Sequence, residues 1–396
     1  MTSPVAEYEL ATHTSIRDVG EAAYRALVPA DAPPFVHFEW LDALETSGAV
    51  RAETGWLPQF ITLHRRLNDG ERRLVAVAPA YLKGHSDGEF VFDHSWASFS
   101  ENQLGVSYYP KLVLAVPFTP ATAPKLFVHP DEDPTLAHAA LCRALPGAAK
   151  QLGLSSVHVL FLPTEEAELL EELGWASRYG VQFHWQNDGY ASYEDFLARF
   201  ASKRRAALRR ERRELEAQGI ELRVHVGASI DERVIDAAYG FYTSTVDKYV
   251  WGRRYLGRNF FERVAETMPD RLHVVMAYER GSERAIGGAF NLLGRDALYG
   301  RYWGASEERP FLHFNVCFYA GIEECIRRGL ARFEPGAGGE HKHARGFLPT
   351  VTHSVHHLCD PRLDVVVRDF LGRERRGVRA YVDAAREKSL LKIAGT

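Results

Sequence analysis

Cysteine and long apolar stretches are the two features that this sequence most nearly lacks. Its 396 residues include four cysteines, and no two of them form a Cys-x-x-Cys pair. That argues against a disulfide-stabilised scaffold and indicates reduced thiols. No uncharged apolar run approaches the ~18–20 residues needed to span a bilayer. The N-terminal residues lack a basic start followed by an apolar core, so they do not predict a secretory signal. We therefore expect a cytoplasmic protein.

A strong charge of one sign is also missing. The formal net charge is -4 and the pI is about 6.5, which gives no reason to expect DNA or a membrane surface as a partner. Hydrophobic residues make up 46% and charged residues 25% of the chain, which is an ordinary globular composition. Because a single core rarely grows beyond ~250–300 residues, the length predicts two domains.

Several common catalytic signatures are absent. The sequence has no Gly-x-Gly-x-x-Gly, no P-loop lysine motif and no Gly-x-Ser-x-Gly nucleophile elbow. Closely spaced histidines occur at His341 and His343 and again at His353, His356 and His357. Zinc sites usually have a matched second pair or a His-x-x-x-His spacing on a helix, and no helical signal surrounds either group, so we predict no metal.

The two halves of the chain show a similar order of predicted elements. Residues 10–50 predict helices, and the second half opens with a long helix. The remaining elements of the first half are strands at 58–64, 74–82 and 89–94, a helix at 135–151, a strand at 157–162, a helix at 164–173 and a strand at 178–185. Those of the second half are strands at 273–278, 285–293 and 297–303, a helix at 311–328 and a strand at 332–334.

This repetition predicts a duplicated α/β (α+β) fold. Each copy should hold a mixed, mostly antiparallel sheet flanked by helices. We place the boundary near Gly189-Tyr190, which gives domains 1–189 and 190–396.

The long helix, predicted over 192–218, carries a dense group of positive charges. Lys203, Arg204, Arg205 and Arg209 are candidates for binding the phosphates of a donor substrate, because Lys and Arg supply much of the affinity for phosphate. The alternative is a solvent-exposed face with i,i+4 ion pairs such as Arg210–Glu214.

Several short segments, spread over roughly residues 35–360, together resemble one family. They are FDHSW at 92–96, YYPKL at 108–112, VPFTP at 116–120, HWQN at 184–187, SKRR at 202–205, RYWG at 301–304 and GAGGEHKHARGF at 336–347. This set is similar to the FemAB-like, GNAT-superfamily predicted N-acyltransferases, which are associated with peptidoglycan biosynthesis or recognition.

The resemblance implies a tandem GNAT fold and acyl transfer to an amine. It implies a donor co-substrate, either aminoacyl-tRNA or acyl-CoA, rather than a tightly bound cofactor. Gly338 stands where the family usually has Gln, which removes one possible hydrogen bond to substrate. The usual GNAT pyrophosphate loop is also absent, which weakens acetyl-CoA as the donor and favours charged tRNA or another acyl carrier.

The glycine-rich segment 335–342 is the best candidate for the catalytic centre. His341 is the predicted proton acceptor, because an imidazole titrates near neutral pH. Glu340 would orient it or bind the amine, and Lys342 would hold an anion or the oxyanion. The alternative is a solvated surface loop.

Residues that could line a substrate pocket lie in both halves, although aromatic residues at core edges would explain many of them equally well. The candidates are Asp93, His94, Trp96, Tyr109, Lys111, Thr119, Lys248, Tyr249, Trp251, Arg301, Tyr302, Trp303, Asn315 and Arg345.

The sequence thus predicts an N-acyltransferase acting on an amine of a small-molecule or peptide acceptor. One alternative is a non-catalytic module of the same fold that binds a cell-wall or peptide ligand. A third hypothesis, an RNA-binding protein without chemistry, rests on the basic helix alone.

Overall fold

The computed structural model describes residues 8–67, 70–248, 253–388 and 391, and for Glu340 the backbone only. The chain forms two compact units. The first unit contains residues 1–180 with 351–380, and the second contains residues 181–350 with 381–396.

The strands of the first unit form two sheets. Its elements are strands β1 (Tyr8–His13), β2 (Leu57–Pro58), β3 (Phe60–Arg66), β4 (Arg72–Ala78), β5 (Ala80–Lys83), β6 (Lys111–Leu114), β7 (Phe127–Val128) and β8 (Ser156–Leu162), with helices α1 (Ile16–Val19), α2 (Glu21–Leu27), α3 (Phe38–Thr46), α4 (His94–Phe99), α5 (Pro134–Gln151) and α6 (Thr164–Glu172). One sheet has the order β1-β3-β4-β7, and strands β8, β6, β5 and β2 are neighbours in the other. Because Pro79 cannot donate a ladder hydrogen bond, the chain changes sheets between β4 and β5.

The second unit is built on one mostly antiparallel sheet. Its elements are β9 (Ala176–Gln186), which begins in the first unit, β10 (Ile220–His225), β11 (Leu272–Glu279), β12 (Ala285–Leu293), β13 (Ala297–Ala305) and β14 (Arg332–Glu334), with α7 (Tyr193–Ala198), α8 (Ser202–Ala217), α9 (Glu232–Val246), α10 (Arg258–Thr267), α11 (Leu312–Phe314) and α12 (Ala320–Arg328). The strand order is β10-β11-β12-β13-β14-β9, and β13 and β14 are parallel. Helix α9 packs closely on β13, since a Cβ atom on Gly304 would lie 1.9 Å from the carbonyl oxygen of Phe241.

The chain then returns to the first unit through β15 (Leu348–Leu358) and α13 (Pro361–Glu387). Strand β15 pairs antiparallel with β8, from His353 opposite Leu162 to Leu358 opposite Ser156. Because of this pairing, residues 351–380 belong to the first unit. The predicted division at 189/190 had placed them in the second domain. The boundary observed within β9 also lies earlier, at Gly180-Val181.

Several predicted elements differ locally from the structure. The predicted strand 74–82 is divided into β4 and β5, which lie in different sheets. Residues 10–13, which were predicted to be helical, belong to strand β1 and pair with β3. The predicted strand at 89–94 is a loop that leads into α4, with Phe90 in the left-handed region at φ 59. The predicted single helix over 192–218 is broken between α7 and α8, where Phe200 is fully buried and forms an isolated bridge with Leu391.

Each unit repeats one arrangement, in which two parallel strands are joined by a helical connection. In the first unit β6 and β8 are joined through α5, and in the second β13 and β14 are joined through α11 and α12. The predicted duplication of a mixed α/β fold is confirmed at this level.

A buried imidazole pair lies in the first unit. The Nδ1 atoms of His158 and His356 are 2.6 Å apart, and Ser156 and Ser354 contact the outer ring nitrogens at 2.7 and 3.1 Å. Burial lowers the pKa of His158 to about 3 and the pKa of His356 well below its usual range. Both rings are therefore neutral in the folded chain at pH 7.

We predict that acid destabilises the first unit through this pair. The folded-state pKa values lie below the unfolded value near 6.5, so the stability is complete above pH 6.5 and is lost as the pH falls. His158 alone should reduce the free energy of unfolding by about 1.4 kcal/mol for each pH unit below 6.5. Urea unfolding between pH 7.5 and 5 measures this slope. His158→Gln should flatten it, and the exposed control His94→Gln should not; equal slopes would contradict the prediction.

Candidate active site

The parallel strands of the second unit separate where the glycine-rich segment begins. Strands β13 and β14 pair only from Ala297 opposite Arg332 to Tyr299 opposite Glu334. Strand β13 continues to Ala305 with a register shift that leaves Arg301 as the extra residue against β12. Strand β14 instead ends at Glu334, and the chain turns away into the segment 335–342. The loop therefore starts at the point where the two strands diverge.

The loop depends on its glycines and on one buried lysine. Gly336, Gly338 and Gly339 have φ values of 89, 71 and 89, which favour glycine over other residues. The Nζ of Lys342 donates hydrogen bonds to the carbonyl oxygens of Gly336 at 2.6 Å and Ala337 at 3.3 Å. Burial lowers the pKa of Lys342 to about 8. Lys342 was predicted to hold an anion or the oxyanion, but here its amine is bound to its own loop.

His341 projects from a short 3-10 helix, Glu340–Arg345, and is exposed. Its ring centroid lies 5.5 Å from that of His313 and 5.6 Å from those of Phe314 and Phe318. Partial burial, followed by the charges of Arg345 and Lys342, lowers the pKa of His341. The imidazole is therefore neutral near pH 7 and able to accept a proton.

His313 links this group to β13. Its ring lies 4.6 Å from that of Trp303, and burial lowers the pKa of His313 to about 4. Sequence reasoning missed His313, which had no neighbouring signal and is identified only by its contacts. The predicted residues His341 and Trp303 thus lie on either side of one neutral imidazole.

Arg345 and Asn315 are internal residues, which corrects their predicted substrate-binding role. The guanidinium of Arg345 donates to the Glu211 carboxylate at 2.9 Å and to the carbonyl oxygen of His341 at 2.9 Å. The hydroxyl of Tyr319 donates to the same carboxylate. Asn315 begins a π-helical turn, Asn315–Tyr319, and its Nδ2 donates to the backbone carbonyl of Glu211 at 3.1 Å. These bonds satisfy polar groups that are buried together.

Three arginines of the basic helix pair with neighbouring carboxylates. Arg209 pairs with Glu194 at 2.5 Å, and the anticipated Arg210–Glu214 pair is present at 3.3 Å. Arg212 pairs with Glu323 at 2.5 Å. Exposed pairs of this kind contribute ~0–1 kcal/mol each, so they stabilise the helix little. The structure thus supports the alternative of a solvated, ion-paired face for this stretch.

The other predicted phosphate-binding residues differ in exposure. Lys203 is exposed, whereas Arg205 points to the carbonyl oxygens of Ala198 and Phe200 at 3.4 and 3.5 Å. Arg204 is half-buried and donates from Nε to the carbonyl oxygen of Ala344 at 2.7 Å. Arg204 therefore braces the 3-10 helix that carries His341.

In the first unit, Asp93, Tyr109 and Lys111 do come together as predicted. The Nζ of Lys111 donates to Asp93 at 2.5 Å, to Glu89 at 2.9 Å and to Ser86 Oγ at 2.8 Å. The hydroxyl of Tyr109 lies 2.9 Å from Ser86 Oγ. Glu89 was missed because residues 89–94 were predicted to be a strand, and Ser86, which precedes that segment, was not singled out.

Burial and charge act in opposite directions on these acids. Burial disfavours the ionised form of Asp93, but the Lys111 ammonium outweighs it and lowers the pKa of Asp93 below its usual range. Burial dominates at Glu89 and raises the pKa of Glu89 to about 7. Nearby, burial lowers the pKa of Lys83 to about 7.

Four of the remaining predicted substrate-binding residues contact other protein groups in the structure. Trp96 is buried against His356, with ring centroids 5.0 Å apart, and the hydroxyl of Thr119 donates to the carbonyl oxygen of Pro117 at 2.9 Å. Tyr302 packs on Tyr242 at 5.3 Å, and the guanidinium of Arg301 lies 5.5 Å from the Tyr302 ring. His94 and Lys248 are exposed, while Tyr249, Trp251 and the side chain of Glu340 lie outside the described residues.

The corresponding strand separation in the first unit is filled by the chain itself. Strands β6 and β8 pair from Leu112 opposite Val157 to Leu114 opposite Val159, and β8 continues to Leu162. Beyond that point the buried Nζ of Lys125 donates to the carbonyl oxygens of Ala123 at 2.6 Å and Phe161 at 3.0 Å. The separation between β6 and β8 in the first unit therefore has a buried lysine beside it. The separation between β13 and β14 in the second unit is instead followed by a glycine-rich loop with an exposed imidazole.

The described residues contain neither a cluster suited to a metal ion nor a helix suited to span a membrane. Across 8–67, 70–248, 253–388 and 391, no three or more His, Cys, Asp or Glu side chains are grouped so that they could hold a metal ion. No helix in that part of the chain combines the length and apolar character needed to cross a membrane.

Comparison with known proteins places this sequence in a family. Residues 15–392 match the FemAB-like family, described as peptidoglycan biosynthesis/recognition. No protein of curated function matches the sequence. The crystal structure of FemX is 12% identical, with a TM-score of 0.52, and the match covers 91% of this chain and 100% of FemX.

Two further solved structures are more distant in shape. L-PGS from Bacillus licheniformis is 12% identical with a TM-score of 0.46, over 87% of this chain and 99% of that protein. A tandem GNAT protein from the clavulanic acid biosynthesis pathway is 13% identical with a TM-score of 0.41, over 90% of this chain and 99% of that protein. At such identities the likeness to FemX is one of fold, whereas the family match spans most of the sequence. The chain belongs to the FemAB-like family and is an acyltransferase, and its mixed α/β fold is of the predicted class.

Proposed function

We propose that this acyltransferase transfers an acyl or aminoacyl group to an amine of a small-molecule or peptide acceptor, with aminoacyl-tRNA or acyl-CoA as the donor. The observation that carries the proposal is His341. It is an exposed imidazole with a lowered pKa, next to the loop that begins where β13 and β14 separate. A neutral imidazole at that position suits the removal of a proton from an attacking ammonium.

The reaction follows from this role. His341 takes one proton from the acceptor ammonium, and the resulting amine attacks the donor carbonyl carbon. A C–N bond forms as the bond from that carbon to the thioester sulfur or ester oxygen breaks. The nitrogen of the tetrahedral adduct loses a second proton to water, and the protonated imidazole gives its proton to the leaving group. The products are a neutral amide and a protonated thiol or hydroxyl, and one proton is released to solvent overall.

Two buried cations support the position of His341. Arg345 donates to the His341 carbonyl oxygen, and Lys342 fixes the two loop carbonyls that precede it. We assign both as positioning residues, because their donor groups are directed to protein atoms. Their positive charges also favour the neutral form of the imidazole.

The identity of the donor is a separate part of the proposal. Exposed Lys203 supports phosphate binding, but the pairing of Arg209 with Glu194 reduces the free positive charge that a tRNA backbone would meet. Both donors therefore enter the test. Purified protein is mixed with a lysine-containing peptide and either lysyl-tRNA or acetyl-CoA, and the peptide mass is followed. Transfer from one donor supports the proposal and identifies that donor, whereas transfer from neither rejects the function for these two donor classes.

His341→Gln should lower the rate of transfer by about 10²–10⁴-fold, because the amide keeps a polar side chain but cannot take the proton. The matched control is His343→Gln, two residues further along the same 3-10 helix, where the ring bonds the Ala385 carbonyl at 3.1 Å. Single-turnover kinetics should show a loss only in the first variant. Equal rates in both would remove His341 from the mechanism.

Lys342→Met should lower kcat about tenfold or more while the KM for the donor changes little, because the loop loses the ammonium that holds its carbonyls. Lys342→Arg keeps the charge at high pH, whereas the wild-type lysine, with a pKa of about 8, loses its proton there. The ratio of the Arg variant's rate to the wild-type rate should therefore rise above pH 8. A ratio independent of pH contradicts the electrostatic role of this ammonium.

Glu211→Ala should reduce the free energy of unfolding by about 3–5 kcal/mol, because it leaves the Arg345 guanidinium buried without its carboxylate. Glu214→Ala is the control on the same helix. It breaks only the exposed pair with Arg210 and should change stability by less than about 0.5 kcal/mol. Urea unfolding of both variants makes the comparison, and similar values would argue against a stabilising buried network.

A further inference from the structure

A buried charged centre in the first unit, formed by Glu89, Asp93 and Lys111, has two carboxylates in contact with only one ammonium. Glu89 and Asp93 are 4% and 1% exposed, and both contact the fully buried Lys111. Lys83 is also buried, but its Nζ bonds the Asp87 carbonyl oxygen at 3.1 Å and lies 3.7 Å from the ring of Trp56. Two carboxylates therefore share one ammonium at contact distance.

Each carboxylate uses one oxygen for these contacts. Lys111 donates to Oε2 of Glu89 and to Oδ2 of Asp93, and Tyr108 donates to the same Asp93 oxygen at 2.7 Å. Glu89 Oε1 and Asp93 Oδ1 are buried, and no well-formed hydrogen bond reaches either atom from the residues that the structure describes. The Ser86 hydroxyl nevertheless lies near Asp93 and helps to lower the pKa of that carboxyl. Buried carboxylate oxygens normally have donors, so both atoms indicate a missing N–H or O–H group.

In the loop that carries these acids, the two buried carboxylates flank exposed aromatic residues. Gly88 and Phe90 adopt positive φ values of 79 and 59, and Phe90 and Phe92 are 39% and 69% exposed. A Cβ atom on Gly88 would lie 2.7 Å from the Phe118 ring, so the loop is closely fitted at that point. The loop therefore turns its aromatic side chains outward and its two carboxylates inward.

We propose that this centre binds the ammonium group of a primary amine, with Glu89 Oε1 and Asp93 Oδ1 accepting its N–H groups. A primary ammonium offers three donors and one positive charge, which match two acceptor oxygens and the unpaired carboxylate charge. The rings of Tyr108 and Tyr109 lie 5.6 and 5.8 Å from Lys111 Nζ, so this environment already accommodates a cation beside aromatic faces.

Asp93 and Lys111 were predicted to bind substrate, and this inference names the substrate group as a primary ammonium. It also adds Glu89 to the residues that bind it. It rests on the proposed function for the source of the amine, which would be an ammonium group of the acceptor other than the one that His341 deprotonates. Binding is measured without a donor and without turnover, so its failure is distinct from a failure of acyl transfer.

The experiment is calorimetric titration of the full chain at pH 8 and constant ionic strength. The probe is n-butylamine, and the comparison compounds are tetramethylammonium, which lacks N–H donors, and 1-butanol, which lacks the charge. We expect saturable binding of butylamine at least tenfold tighter than that of either comparison compound. Absence of saturable binding, or equal binding of tetramethylammonium, would overturn the proposal and leave water or a proton as the group that satisfies these oxygens.

Variants locate the site. Glu89→Gln should weaken butylamine binding about tenfold or more, because it removes the charge, whereas the control Glu101→Gln changes an exposed residue and should leave binding unchanged. Glu89→Asp retains the charge and should bind more tightly than Glu89→Gln, which separates loss of the carboxylate from disturbance of the loop. Unfolding curves establish that each variant is folded. Equal affinity of wild type and a folded Glu89→Gln would overturn the assignment.

Discussion

The buried ion pair between Arg345 and Glu211 joins three separate parts of the second unit. Glu211 comes from helix α8, Tyr319 from the π-helical turn, and Arg345 from the 3-10 helix that carries His341. A guanidinium enclosed in protein must keep its carboxylate, since an unpaired buried charge is strongly destabilising. The pair therefore fixes the position of α8 and of the catalytic candidate together. Other features at this site, including the tethered loop carbonyls, depend on that arrangement.

The order of elements and the glycine-rich site could be predicted from sequence because both have local signals. Left-handed glycines, a histidine and a lysine occur within a few residues of one another, and their pattern is independent of the rest of the fold. The pairing of β15 with β8 had no such signal, because it is made by residues almost 200 positions apart. Because that long-range pairing could not be foreseen, residues 351–380 were predicted to lie in the second domain, whereas they belong to the first unit.

Partners of buried charges were the least predictable feature. Glu211 is an acid within an arginine-rich helix, and no sequence pattern singled it out as a buried counter-ion. Burial reverses its importance, since it becomes the counter-ion of a residue 134 positions away. Glu89 was missed for a related reason: a predicted strand does not indicate which side chains the loop turns inward. In both cases the deciding quantity is solvent exposure, which depends on tertiary packing.

The two strand separations show how a duplicated fold becomes asymmetric. In the first unit, Lys125 occupies backbone carbonyls that lie next to the diverging strands, whereas in the second unit Lys342 binds carbonyls of the glycine loop. A lysine that saturates carbonyl groups removes acceptors with which an extended ligand could pair. Under the proposed function the reacting groups lie in the second copy, so the interior of the first copy is free of their geometric requirements.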